Sequence, residues 1–102
     1  MKRPEECITL AEVRASIDQL DHGIIAALGT RLHYVLAAAA FKLTAEGVHV
    51  PDRVAAMLDQ RRAWASEENV NPAVVEAMFR ALVAYFTEEQ AVHWKALHGH
   101  AE

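Results

Sequence analysis

Three cations and one amide stand close to the apolar helical stripes of this chain: Arg14, Arg31, Lys42 and Gln90. A helix face that packs into a core is normally apolar, so charge near it calls for a reason. Guanidinium groups offer a planar fork that fits a carboxylate, and an ammonium adds a compact point charge, so a few of them in one pocket would hold a small anion. Arg31 and Lys42 are separated by about 1100° of helical rotation, within ~20° of one direction, and by about 16 Å along the axis. Long side chains can bracket that distance. Arg14 is rotated about 100° from Arg31 and lies ~25 Å away, so it cannot readily join a site on its own helix. In an antiparallel dimer it would reach the partner's site. The same spacing also suits solvated cations that lay apolar stems along the surface, and spacing alone does not separate the two.

Other candidates carry less. His93, His98 and His100 cluster near the end at spacings of five and two, without the HExxH pattern of a zinc site. His22, His33 and His49 are isolated. Cys7 precedes the first helix with no activating base nearby, and Asp18 with Asp21 reads as a charged helix face. Arg61-Arg62 beside Glu67-Glu68 reads as surface charge, and Trp64, Phe79, Tyr85, Phe86 and Trp94 as core. There is no Gly-rich phosphate loop, no nucleophile triad and no metal-ligand set.

The elements that must position these residues are helical. Thr9-Leu10-Ala11-Glu12 fits a capping box. Leu10, Val13, Ile17, Leu20, Ile24, Leu28, Leu32, Val35 and Ala39 then repeat at steps of three and four. Gly23 and Gly29 weaken a helix by about 1 kcal/mol each without ending the pattern. The periodicity predicts one helix over residues 9–44, a loop over 44–51, and helices over 52–68 and 72–98, the last opened by Asn71 as cap and Pro72 at its first position. A helix of about 35 residues is about 50 Å long, whereas a compact domain of this size has a radius of gyration of about 13 Å. The helix overhangs its own domain, and a second chain covering the overhang is the simplest remedy. The expected fold is all-α, three helices with a very long first one, in an intertwined homodimer.

The chain has 102 residues, 53% hydrophobic and 24% charged, with a formal net charge of -4 and one cysteine. That predicts a single domain spanning 1–102 with a true core, and leaves no intrachain disulfide. The acid balance argues against nucleic-acid binding, which needs a basic face. The first residues lead into an amphipathic segment with no apolar signal region, and the apolar run 35–41 is too short for a bilayer, so a soluble, cytoplasmic protein without membrane attachment is expected.

Particular segments then resemble a known family: Leu10-Ala11-Glu12-Val13-Arg14, Ile17-Asp18-Gln19-Leu20-Asp21, Ala27-Leu28-Gly29-Thr30-Arg31, Phe41-Lys42, Pro51 through Leu58, and Glu89-Gln90. From Pro4 to about Trp94 the chain resembles the all-helical chorismate mutase family, and within it the isochorismate pyruvate lyase branch that forms salicylate for pyochelin-type siderophores. The resemblance implies an entwined dimer with two equivalent pockets, each taking one arginine from the other chain. It implies that the partner's copy of Arg14 and this chain's Arg31 hold the substrate carboxylates. Lys42 then contacts a carboxylate and the ether oxygen, Gln90 hydrogen-bonds near that ether, Arg53 stands at the pocket mouth, and residues 44–50 form a lid. Lys42 and Gln90 are the implied catalytic residues. Dedicated mutases carry a Glu at the position of Val54, where it binds the ring hydroxyl of chorismate, so Val54 favours isochorismate. The implied reaction is pericyclic and uses no cofactor, metal or general base. Two departures stand out: Thr87 occupies a position expected to be apolar, and the lid sequence is not a close match. A chorismate mutase making prephenate, and a non-catalytic helical dimer module, are the alternatives.

Overall fold

The computed structural model describes residues 1–99, which are helical with no strand among them. The chain divides into two compact units, Met1–His33 and Tyr34–Glu102, and the boundary falls inside the first long helix.

In the first unit a single 3-10 turn, Pro4–Glu6, precedes α1 (Leu10–Ala38). The cap is built as its residue types suggest, with one shift. Thr9 Oγ1 accepts from the backbone N–H of Glu12 at 3.1 Å, while Glu12 Oε2 accepts from the N–H of Ile8 at 2.9 Å. Lys2 adds an ion pair to the other Glu12 oxygen at 3.1 Å. At 29 residues α1 is about 43 Å long. No residue of α1 is buried. Its stripe is present and faces outward, from Leu10 at 60% exposure through Ile17 and Leu20 to Ile24 at 53%. Full burial of each such side chain would contribute about 1.5–3 kcal/mol. By length and composition, Leu10–Phe41 is apolar enough to cross a membrane, its most apolar 18-residue window having a mean hydropathy of 1.6. This exceeds what the 35–41 run suggested, because Arg14, Asp18 and Asp21 sit near its start and only Arg31 carries charge between Asp21 and Lys42.

The second unit holds the core. After Ala38 the backbone tightens into a 3-10 turn, Ala39–Phe41, and Lys42 leaves it in extended conformation (φ -89°, ψ 129°). The helical path therefore stops short of residue 44. The reason lies in Thr44, whose Oγ1 accepts from Gly47 N–H at 3.2 Å and caps a second 3-10 turn, Ala45–Val48. Next comes α2 (Pro51–Glu67), opened by proline at its first position. Its end is a complete Schellman closure: Asn69 N–H donates to Ser66 O at 3.2 Å and Val70 N–H to Ala65 O at 2.9 Å. Asn69 takes the left-handed conformation this requires (φ 60°), which asparagine tolerates better than most residues. Asn71 Oδ1 then accepts from Ala73 N–H at 2.9 Å and caps α3 (Pro72–His98).

Helices α2 and α3 pack on each other, and α3 also packs on both 3-10 turns. Ala39, Val48, Met57, Leu58, Ala65 and Phe86 are the buried apolar residues. A charged brace spans the helix pair: Glu76 accepts from Arg62 of α2 at 2.6 Å and from Arg80 at 2.7 Å. These two hydrogen bonds, Arg80 first, hold the Glu76 carboxyl below its ordinary range. Two aromatic residues read as core are corrected. Trp64 and Tyr85 are 47% and 51% exposed, while Phe86 is buried. Trp64 is covered on one side by the Arg61 guanidinium, 4.7 Å from its ring centroid, and Tyr85 packs one side on Phe86 with centroids 5.2 Å apart.

Candidate active site

Gln90 is the one buried polar residue among those described, at 6% exposure on α3. Its Nε2 donates to the carbonyl oxygen of Val35 at 2.6 Å. A carbonyl can only accept, so the amide orientation is settled by its partner. The second Nε2 hydrogen and Oε1 are then what the amide has for a ligand.

One helical turn further along α3, Trp94 makes the matching contact. Its indole Nε1 donates to the carbonyl oxygen of Lys42 at 2.9 Å. The i,i+4 pair Gln90 and Trp94 thus grips two carbonyls at the C-terminal end of α1 and just beyond it. Lys42 is half-buried, and its own N–H donates to Ala39 O at 3.2 Å. Its stem lies along the 45–48 turn, where a Cβ added at Gly47 would stand 3.6 Å from Lys42 Cβ and 3.9 Å from Cδ.

Val54 of α2 and Thr87 of α3 line one groove of about 690 Å³, together with Val50, Leu58, Arg80 and Glu88. Lys42, Gln90 and Arg53 do not line it. Arg53 is exposed on α2, and its charge, after burial itself, helps lower the Arg61 pKa. Arg14 and Arg31 belong to the first unit, where Arg14 is exposed and Arg31 is half-buried with its Nη1 inside the surface.

Among the described residues no group of three or more His, Cys, Asp or Glu could hold a metal ion. His98 stacks on Trp94 with ring centroids 4.3 Å apart and donates from Nδ1 to Trp94 O at 2.9 Å, while His100 lies outside the described residues. Sequence reasoning missed Trp94 as a polar contact by treating it as core alone. The available signal was a tryptophan four residues after Gln90 on a half-buried face, since an indole N–H that is covered normally finds an acceptor.

Comparisons with known proteins agree on one lineage. The family model described as chorismate mutase type II matches residues 13–91. The isochorismate pyruvate lyase of Pseudomonas aeruginosa is 41% identical over 101 residues, covering 99% of this chain and 100% of that protein.

Proposed function

The chain belongs to the type II chorismate mutase family, and from that premise we propose that it is an isochorismate pyruvate lyase, converting isochorismate to salicylate and pyruvate. The observation that carries this reading is the near end-to-end identity with a lyase of that name. Val54 supports it, because an apolar side chain in the groove offers no hydrogen bond to the ring hydroxyl of chorismate. Such a bond is worth about 0.5–1.5 kcal/mol.

The substrate is a dianion with an enolpyruvyl ether on its ring. A ring hydrogen moves to the methylene carbon of the enolpyruvyl group as the ring C–O bond breaks, so pyruvate departs and the ring becomes aromatic. One concerted step of this kind needs no nucleophile. The protein supplies a compact, reactive conformer and positive charge where negative charge develops, at the departing ether oxygen. Lys42 provides that charge, and Gln90 directs its remaining amide hydrogen toward the same oxygen. Arg31 and the partner's copy of Arg14 hold the carboxylates bidentately. Arg53 guards the mouth, and residues 44–50 serve as the lid.

The exposed stripe from Leu10 to Ile24 supports an intertwined homodimer, in which a second copy, and not lipid, covers α1. The type II family consists of soluble enzymes, and a cytoplasmic location follows from that reading. The match of residues 13–91 to the chorismate mutase model also supports a second, weaker activity, conversion of chorismate to prephenate by the same cations.

Pure protein incubated separately with isochorismate and chorismate tests the choice. Salicylate fluorescence from isochorismate is expected, with slower loss of chorismate. Chorismate consumed faster than isochorismate would make the protein a mutase, and no turnover of either would leave a helical dimer without catalysis. Lys42→Ala is expected to remain a folded dimer and to lose turnover by about 100-fold or more. Near-normal salicylate formation by that variant would remove Lys42 from the mechanism.

A further inference from the structure

We propose that Trp94 is a positioning residue for the reaction, acting through the backbone of Lys42. The inference rests on the reading of Lys42 as the charge beside the departing oxygen, and goes beyond it by naming what holds that lysine. Lys42 sits where helical hydrogen bonding ends: its N–H closes the 39–41 turn, and its backbone then leaves in extended conformation. A carbonyl at that point has lost the i+4 partner it would have inside a helix, and a chain end of this kind frays. The indole of Trp94 supplies the donor at 2.9 Å, from a residue 52 positions away. The indole is itself held: His98 stacks on it at 4.3 Å and donates to the Trp94 carbonyl. The Lys42 stem runs beside Gly47, where a side chain would meet it. The N–H and the carbonyl of the lysine are therefore each held, and of these two contacts only that of Trp94 is made across the fold.

Loss of the indole N–H frees the carbonyl and lets the Lys42 backbone shift, and misplacement of a catalytic group by about 1 Å can reduce rate by about 100-fold. Binding of the substrate carboxylates rests mainly on Arg31 and the partner's copy of Arg14, with Lys42 sharing one of them, so kcat should fall more than KM rises. Two variants separate the hydrogen bond from the ring: Trp94→Phe, and a chain with benzothienylalanine at position 94, which keeps the bicyclic shape and lacks the donor. Each is expected to lower kcat on isochorismate at least about tenfold with KM within about twofold of wild type. Introduced beside Lys42→Ala, the same changes are expected to have no further effect, because the group they position is gone. Unchanged kcat in both variants overturns the proposal, as does an equal loss with and without Lys42, which would mark a structural role. If Trp94→Phe fails to fold, the benzothienylalanine protein decides alone. An inactive wild type would instead defeat the assigned reaction, and with it any positioning role, a result distinct from an active wild type with insensitive variants.

Discussion

The two units of this chain solve the burial problem differently. From Tyr34 onward, α2, α3 and the two 3-10 turns enclose six apolar side chains and one amide among the described residues, and Gln90 and Trp94 make their hydrogen bonds to backbone inside that unit. Met1–His33 has the same kind of apolar periodicity and encloses none of it, since no residue there is buried. One half of the molecule is finished by its own chain. The other carries Arg14 and Arg31 on a helix whose apolar stripe stays largely exposed, with only the first residues of the chain beside Val13, Ile17 and Leu20. On the proposed reading, Arg14 and the stripe would belong to one design, in which the surface that recruits a second copy also delivers a cation to it.

Charging the stripe tests that contrast most severely. Replacing Ile17 and Leu20 together by Asp is expected to abolish dimerisation and turnover, because two buried, unpaired charges at an interface cost several kcal/mol. Light scattering should then report 11.3 kDa in place of twice that mass. A dimer with unchanged activity would show that the stripe is not the interface.

A smaller effect is expected in the groove that α2 and α3 line with Val54 and Thr87. Val54→Glu should raise chorismate turnover relative to isochorismate by about tenfold, the equivalent of one hydrogen bond to a ring hydroxyl. The ratio of prephenate to salicylate formed measures this, and an unchanged ratio would take Val54 out of substrate choice.

The smallest effect lies in the brace between α2 and α3. Glu76 has its pKa lowered in the folded state by Arg80 and Arg62, so its contribution is complete above the ordinary carboxylate value of 4.5 and is lost as pH falls through the lower folded value. Glu76→Gln should therefore lower Tm slightly at pH 7 and leave it unchanged well below pH 4.5. Exposed ion pairs rarely contribute more than this. Equal Tm differences at both pH values would locate the effect in packing.

Much of the fold was legible because helical periodicity and caps are local. Thr9, Pro51, Asn71 and Pro72 each sit where their side chains satisfy or excuse an orphan donor. The end of α1 was not legible, since it depends on Thr44 capping a turn of its own and on an indole from far along the chain. The exposure of Trp64 was equally hidden, because its cover is the guanidinium of Arg61. The candidate cations were singled out from their discord with apolar stripes. Gln90 was singled out as well, but its grip on Val35 O and the partnership with Trp94 required the tertiary fold.

Mixing two inactive variants measures the joint construction of the site most directly. Arg14→Ala and Lys42→Ala homodimers each lack one cation in both pockets. After co-refolding, half the dimers are mixed, and each mixed dimer regains one intact pocket in two, so about a quarter of wild-type turnover should return. Recovery to that level is the expected result; turnover no higher than the sum of the two separate variants would show that Arg14 does not act across a dimer interface.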